Sequence, residues 1–244
     1  MDETYEDKEV LVIEQPEKEL YSPEDSPQVE ITEEMIQYSR DRTEGHIARV
    51  IALGEKLGFN FSQHDHTKFG SEIKEQYILI DNSFRKDLDP PVPYTKDMAE
   101  ASFKHIKMEA HHPEYWDPMV MFNQNFGQNE PDTVKMEQLE DMPDNRAAGI
   151  TDASEMSVPA ICEMVCDWCA MSQEVGGHPA EWAQKNIGVR WNFTDEQEEL
   201  IFLLIRMLWE TPDAEEAELD AMQRQAKIMV ENSTYGVWKP ASEV

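Results

Sequence analysis

The sequence predicts an all-α protein, a helical bundle flanked and interrupted by acidic segments. Three observations carry this. Apolar residues recur at helical spacing in several stretches that open on capping residues. No stretch reads as a convincing sheet, and none repeats another. Hydrophobic residues make up 40% of the chain and there are 6 Trp, enough to bury a real core.

Residues 1–31 hold many acids and prolines at 16, 23 and 27, with one apolar burst, Val10-Leu11-Val12-Ile13. Such a segment cannot bury enough surface to offset the entropy of ordering, so a flexible, disordered acidic tail is expected. A single helical domain is expected over 32–232. Thr32, followed by Glu33 and Glu34, caps its first helix, which runs to Leu57 and stops at Gly58, with Gly45 weakening its middle. His46, Val50, Leu53 and Leu57 recur at helical spacing, which puts His46 on the buried face. A turn through Asn60 to Gln63 leads to His64-Asp65-His66-Thr67-Lys68, and a further helix is expected from Ser71 to Leu79.

After the rigid Asp89-Pro90-Pro91-Val92-Pro93, Thr95 caps a helix expected to reach His112, because Pro113 disfavours helical geometry at the residue before it. Residues 126–156 read as an acidic loop insertion. A helix then starts at Ser157-Val158-Pro159 and ends before Gly176-Gly177. Thr194-Asp195-Glu196-Gln197 is a capping box opening an apolar helix. A last amphipathic helix is expected over 213–229, and 233–244 as a tail.

The chain has 51 acidic residues against 21 basic ones, a formal charge of −30. That field repels phosphate backbones and anionic lipids, which excludes a general nucleic-acid binder and leaves a basic protein partner for the acidic segments as the compatible macromolecule. No apolar run is long enough to span a bilayer, and Met1-Asp2-Glu3 is the opposite of a signal peptide. The expected location is a cytoplasm, that of the host if a phage encodes the protein. Cys162, Cys166 and Cys169 lie too close together to form a disulfide framework, and a reducing compartment fits. With His178 they could seed a metal site, but buried cysteines along one helical face are commonly core residues.

The informative set is His46, His64-Asp65, His105, His111-His112 and Asp167. Imidazole and carboxylate donors suit Mn, Fe, Zn, Ni or Co, whereas an all-oxygen set would suit Mg or Ca. A single buried histidine is more often a hydrogen-bonded core residue than a ligand, yet an ordered set of this size rarely arises by chance. His105 and His112 stand seven apart on one predicted stripe, which favours His112 over His111, although a frayed end before Pro113 would reverse that choice. Glu114 is a candidate acceptor behind the histidines, a general base or part of a turn.

Here the chain resembles the HD superfamily of metal-dependent phosphohydrolases. His46, His64-Asp65 and Asp167 follow its order of an early His, a His-Asp pair and a late Asp, and His64-Asp65-His66-Thr67-Lys68 is similar to its His-Asp-x-x-Lys form. The resemblance implies an HD-like bundle, one metal held by His46, His64, Asp65 and Asp167, and a second added through His105 and His111 or His112. The pieces His-His-Pro-Glu-Tyr-Trp and Glu-Met-Val-Cys-Asp-Trp look like an uncharacterised family of phages and bacteria.

The expected activity is hydrolysis of a nucleotide or other phosphate ester, with Asp65 and Lys68 in the chemistry and Lys68 and Arg49 neutralising substrate charge. One alternative is a di-iron oxygenase on the same scaffold, which needs both metals. Another is a non-enzymatic acidic interaction protein, in which the histidines merely staple the bundle.

Overall fold

A computed structural model of the protein describes residues 29–124, 133–134, 146–210 and 224. The tail over 1–28, most of the acidic insertion (125–132 and 135–145), the helix expected over 213–229 apart from Arg224, and 233–244 lie outside the described residues.

The fold is mostly α. Helix α1 (Glu33–Lys56) begins where the sequence says: the Thr32 side chain accepts from Met35 N at 3.3 Å, and Glu33 and Glu34 complement the helix dipole. It ends at Leu57, with Gly58 at φ 79°, a left-handed conformation that favours glycine. Met35, His46, Val50 and Leu53 form its inner face. Gly54 is required on that face, since a Cβ there would meet Phe61 Cδ2 at 2.5 Å. A short 3₁₀ helix (His66–Phe69) follows, then α2 (Lys74–Ser83), which starts three residues later and ends four later than the sequence suggested.

Helix α3 (Lys96–Met108) stops short of the expected His112. Glu109 is extended, and α4 (Pro113–Trp116) begins separately with His112 at its N-cap and Pro at its first position. Helix α5 (Val158–Val175) runs from Ser157 to Gly176 as expected. It is buried on nearly every side, in keeping with its Ile161, Val165, Cys166 and Cys169 at 0% exposure. Helix α6 (Pro179–Asn186) was not legible as a separate helix, and His178 caps it by accepting from Ala180 N. The capping box at Thr194 forms and opens α7 (Asp195–Ile205), which continues as a π-helical turn through Arg206–Glu210.

Short strands are present where none was expected. β1 (Tyr94–Thr95) pairs antiparallel with β2 (Thr133–Val134), and β3 (Thr151–Asp152) pairs parallel with β4 (Trp191–Asn192). Such two-residue pairings leave no alternation long enough to read in a sequence. They also change the reading of 146–156, assigned above to the acidic loop. Thr151, Ala153 and Met156 are fully buried, and Gln197 Nε2 donates to the carbonyls of Ser154 and Met156 at 3.0 and 2.9 Å. The box residue that starts α7 therefore also pins this segment to the core.

α1 packs between α5 and α2, α5 against α7, and α2 against α3. One apolar cluster joins α1, α5 and α7 around Val50, Ile161, Val165, Ile201 and Leu204. The second joins α2, α3 and β1 around Tyr77, Ile78, Tyr94 and Met98. The polar cluster described next lies where α1, α3 and α5 meet the turn before the 3₁₀ helix.

Candidate metal centre

Five segments send titratable side chains to one buried place. His46 comes from the inner face of α1, where it is 5% exposed. His64 and Asp65 are neighbours in sequence, 1% and 2% exposed, and both reach the cluster because Asp65 adopts φ 59°, ψ 12°. That left-handed conformation is tolerated by Asp better than by most residues and is found where the fold over-determines a strained position. His105 comes from α3, and His111 and His112 from the turn before α4, closed by His112 N donating to Glu109 O at 3.0 Å. Asp167 comes from α5, between the buried Cys166 and Trp168, and its side chain is 15% exposed.

Around His46, Nε2 lies 3.2 Å from His64 Nε2, 2.9 Å from Asp167 Oδ1 and 3.6 Å from Asp65 Oδ2. Around His105, Nε2 lies 3.0 Å from Asp65 Oδ1 and 3.2 Å from His112 Nε2. His111 Nε2 is 3.9 Å from the same Asp65 Oδ1. With metal–nitrogen and metal–oxygen bonds near 2.0–2.2 Å, two donors on one ion stand about 2.9–3.5 Å apart. The shorter separations fall in that range. Two groups of donors share Asp65, His46-His64-Asp65 with Asp167 beside it and Asp65-His105-His111-His112, and both could hold a metal ion; His64, His111 and Glu163 form a third such group without Asp65.

The seven-residue stripe expected for His105 and His112 does not exist, because α3 ends at Met108. His112 reaches His105 through the turn instead, and the same turn brings in His111, whose ring centroid is 4.2 Å from that of His112. The choice between the two histidines dissolves: both face the cluster. Neither ring nitrogen of His111 has a hydrogen-bond partner among the described residues, although the side chain is 1% exposed. An orphaned buried imidazole is what a donor set lacking its ion looks like.

The electrostatics agree with that chemistry. Burial, then the neighbouring imidazoles, hold His111 and His112 well below the ordinary histidine value, so both are neutral at pH 7, the form that ligates metal. Burial lowers His105 as well, against the pull of Asp65. For Asp65, burial raises the pKa but Lys68 and His64 more than offset it, and the carboxyl stays well below its usual range. Asp167 behaves alike: burial opposes ionisation, and the hydrogen bond and charge of His46 bring it to about 2.

Further partners orient the rings from behind. His64 Nδ1 lies 3.0 Å from Glu163 Oε1, and Thr67 Oγ1 lies 2.7 Å from His105 Nδ1. These two residues were missed by the sequence reading, and only the i,i+4 spacing of Glu163 and Asp167 hinted at the first.

Of the expected substrate-binding cations, Lys68 lies on the wall of a 470 Å³ cavity that also exposes Asp65, His105, His112 and Asp167. Its ammonium sits 2.6 Å from Asp65 Oδ2. Arg49 does not line that cavity; it is paired with Glu174, which Arg42 also holds. Glu114 accepts from Trp191 Nε1 at 2.8 Å and is 2% exposed, which commits its carboxylate to the packing of β4. The three cysteines are buried in the α1-α5-α7 core and belong to no group able to hold a metal among the described residues. Also among the described residues, no helix is long and apolar enough to cross a membrane.

No curated protein and no solved structure matches the chain. The profile of a family of unknown function, DUF5662, matches residues 35–208, which takes in every donor described above. With more than half of its length matched, the chain belongs to the DUF5662 family.

Proposed function

We propose that the protein is a metal-dependent phosphohydrolase, acting on a nucleotide or another phosphate ester through an HD-type His/Asp centre. The observation that carries this reading is Asp65. One carboxylate, buried and held ionised, has Oδ2 beside His46 and His64, Oδ1 beside His105 and His111, and a position on the wall of a 470 Å³ cavity. A carboxylate shared in this way suits two ions a short distance apart, and the mixed nitrogen and oxygen donors suit Mn, Fe, Zn, Ni or Co. A divalent ion bound there supplies Lewis acidity toward a phosphoryl oxygen and acidifies water.

The chain's own residues do the rest. Asp65 and Asp167 supply negative charge to the centre, while His111 and His112, held neutral by burial, offer lone pairs without a proton to displace. Lys68 faces the cavity beside Asp65 and provides a fixed positive charge for a substrate phosphate. The cavity wall balances Arg42, Lys68, Arg146, Lys185 and Arg190 against Asp65, Asp81, Glu114, Asp167 and Glu181, five to five. In a chain with 51 acids and 21 bases, that local parity lowers the barrier an anionic substrate meets.

Elemental analysis of protein purified without chelator, beside a His64→Ala, Asp65→Ala double variant, tests the centre. One or two transition-metal ions per chain, absent from the variant, are expected. Phosphate release from a panel of nucleotides and aryl phosphates tests the reaction. The presence of donors for two ions also favours a second reading, a di-iron oxygenase; iron with visible absorption, dioxygen uptake and no phosphate release would select it. No metal in either protein after adding Mn, Fe or Zn would leave an acidic interaction protein.

A further inference from the structure

Glu163 stands one turn before Asp167 on α5, yet it does not line the cavity. Its Oε1 lies 3.0 Å from His64 Nδ1 and 3.6 Å from His111 Nδ1. The two rings are 4.3 Å apart between centroids, and their opposite edges face Asp65: His64 Nε2 is 3.6 Å from Oδ2, His111 Nε2 is 3.9 Å from Oδ1. The two imidazoles are thus bracketed between one carboxylate in the centre and one behind it. A carboxylate behind a ligating histidine fixes the proton on the far nitrogen and turns the other lone pair toward the metal. Glu163 does this for His64 through a hydrogen bond, and the same oxygen stands within ion-pair reach, though beyond hydrogen-bonding distance, of His111 in the other group.

We propose that Glu163 is a positioning residue serving both halves of the centre, and that it makes His111 a ligand of the second half alongside His105, His112 and Asp65. The inference rests on the metal-centre reading above. It gives a role to His111, a buried imidazole with neither ring nitrogen hydrogen-bonded, whose Nε2 faces Asp65 and whose Nδ1 faces Glu163. It also gives the second half three imidazoles, a set suited to Zn, Fe, Co or Ni and ill-suited to Mg or Ca.

The test compares wild type with Glu163→Ala, Glu163→Gln and His111→Ala, each checked for folding by circular dichroism. Long-range ¹H–¹⁵N correlation spectra of the metal-free proteins report which imidazole nitrogen carries the proton, and titration with Zn or Co followed by elemental analysis reports stoichiometry and affinity. In wild type, His64 and His111 are expected to carry the proton on Nδ1, with two ions bound. Glu163→Ala is expected to lose that preference at both rings and to bind metal about 10–100-fold more weakly. Glu163→Gln is expected to keep most of both, because its amide oxygen still accepts. His111→Ala is expected to hold one ion while His64 keeps its Nδ1 proton. Unchanged tautomers in Glu163→Ala, or two ions in His111→Ala, would overturn the proposal. A wild type that takes up no ion would overturn the metal-centre reading as well, and the metal-free spectra tell that failure apart from a mistaken role for Glu163.

Discussion

Lys68 holds its ammonium 2.6 Å from Asp65 Oδ2, so the carboxylate shared by both donor groups carries its own counter-charge from one helical turn away. The pair is asymmetric: the Asp65 side chain is 2% exposed and that of Lys68 23%. Removing the cation strands a buried anion, whereas removing both leaves two neutral side chains. In metal-free protein Lys68→Met is expected to lose on the order of 2 kcal/mol of stability, and the Asp65→Asn, Lys68→Met double variant to recover part of it. Urea unfolding of wild type, both single variants and the double variant measures this; simple additivity would show that the pair is not coupled.

Stability of the metal-free protein is expected to fall as the pH drops below 6.5. His105, His111 and His112 are depressed in the fold below the ordinary histidine value of about 6.5, so between their folded values and 6.5 the unfolded chain binds protons that the folded one refuses. Their contribution is present above 6.5 and lost below it, by at most about 1.4 kcal/mol per pH unit for each histidine. His64 is raised, so its contribution is present below 6.5 and fades as the pH climbs through its folded value. Asp65 and Asp167 are depressed carboxylates and add a separate loss below about pH 4. Urea midpoints at pH 7.0 and 5.5 check the sign, and His112→Ala should flatten the slope.

Two glycines of α1 should respond oppositely to alanine. At Gly45 the nearest atom to an added Cβ is Arg49 Nη1 at 3.8 Å, an ordinary contact, so Gly45→Ala is expected to stabilise by about 0.5–1 kcal/mol through helix propensity. At Gly54 the added Cβ collides with the Phe61 ring, three residues before His64, so Gly54→Ala is expected to destabilise by about 1–3 kcal/mol. It should also weaken metal uptake, because Phe61 anchors the turn that carries His64 and Asp65. Thermal melts and metal titration of both variants test the contrast.

Glu114→Ala is expected to lower stability by about 1–3 kcal/mol, leaving Trp191 Nε1 unpaired in the core, with metal content unchanged. A loss of metal without a loss of stability would instead put Glu114 in the centre.

The cysteines should be silent in the folded protein. Burial pushes the Cys162 and Cys169 thiols up to about 12 and holds Cys166 well above its ordinary range. A thiol reagent such as DTNB is expected to modify none of them until denaturant is added, with chelator making no difference. Reaction of the native protein on chelation would point to a thiolate metal site.

The α-helical class, the boundaries of α1 and α5 and the start of α7 were legible in the sequence. They depend on caps at Thr32 and Thr194, on Gly58 and Gly176, and on local apolar periodicity. The donors from His46 to Asp167 were also legible as residue types, because imidazole and carboxylate in that order carry chemistry wherever they are placed. What only the tertiary structure decided is long-range. It ended α3 at Met108 and so brought His111 in beside His112; it turned Asp65 left-handed so that consecutive residues reach one place. It also set Glu163 of α5 behind a histidine 99 residues away and bound Arg49 to Glu174 rather than to the cavity. The physical reason is that caps and periodicity act within a turn or two of the chain, whereas the partner of a buried charge is chosen by whichever helix packs against it.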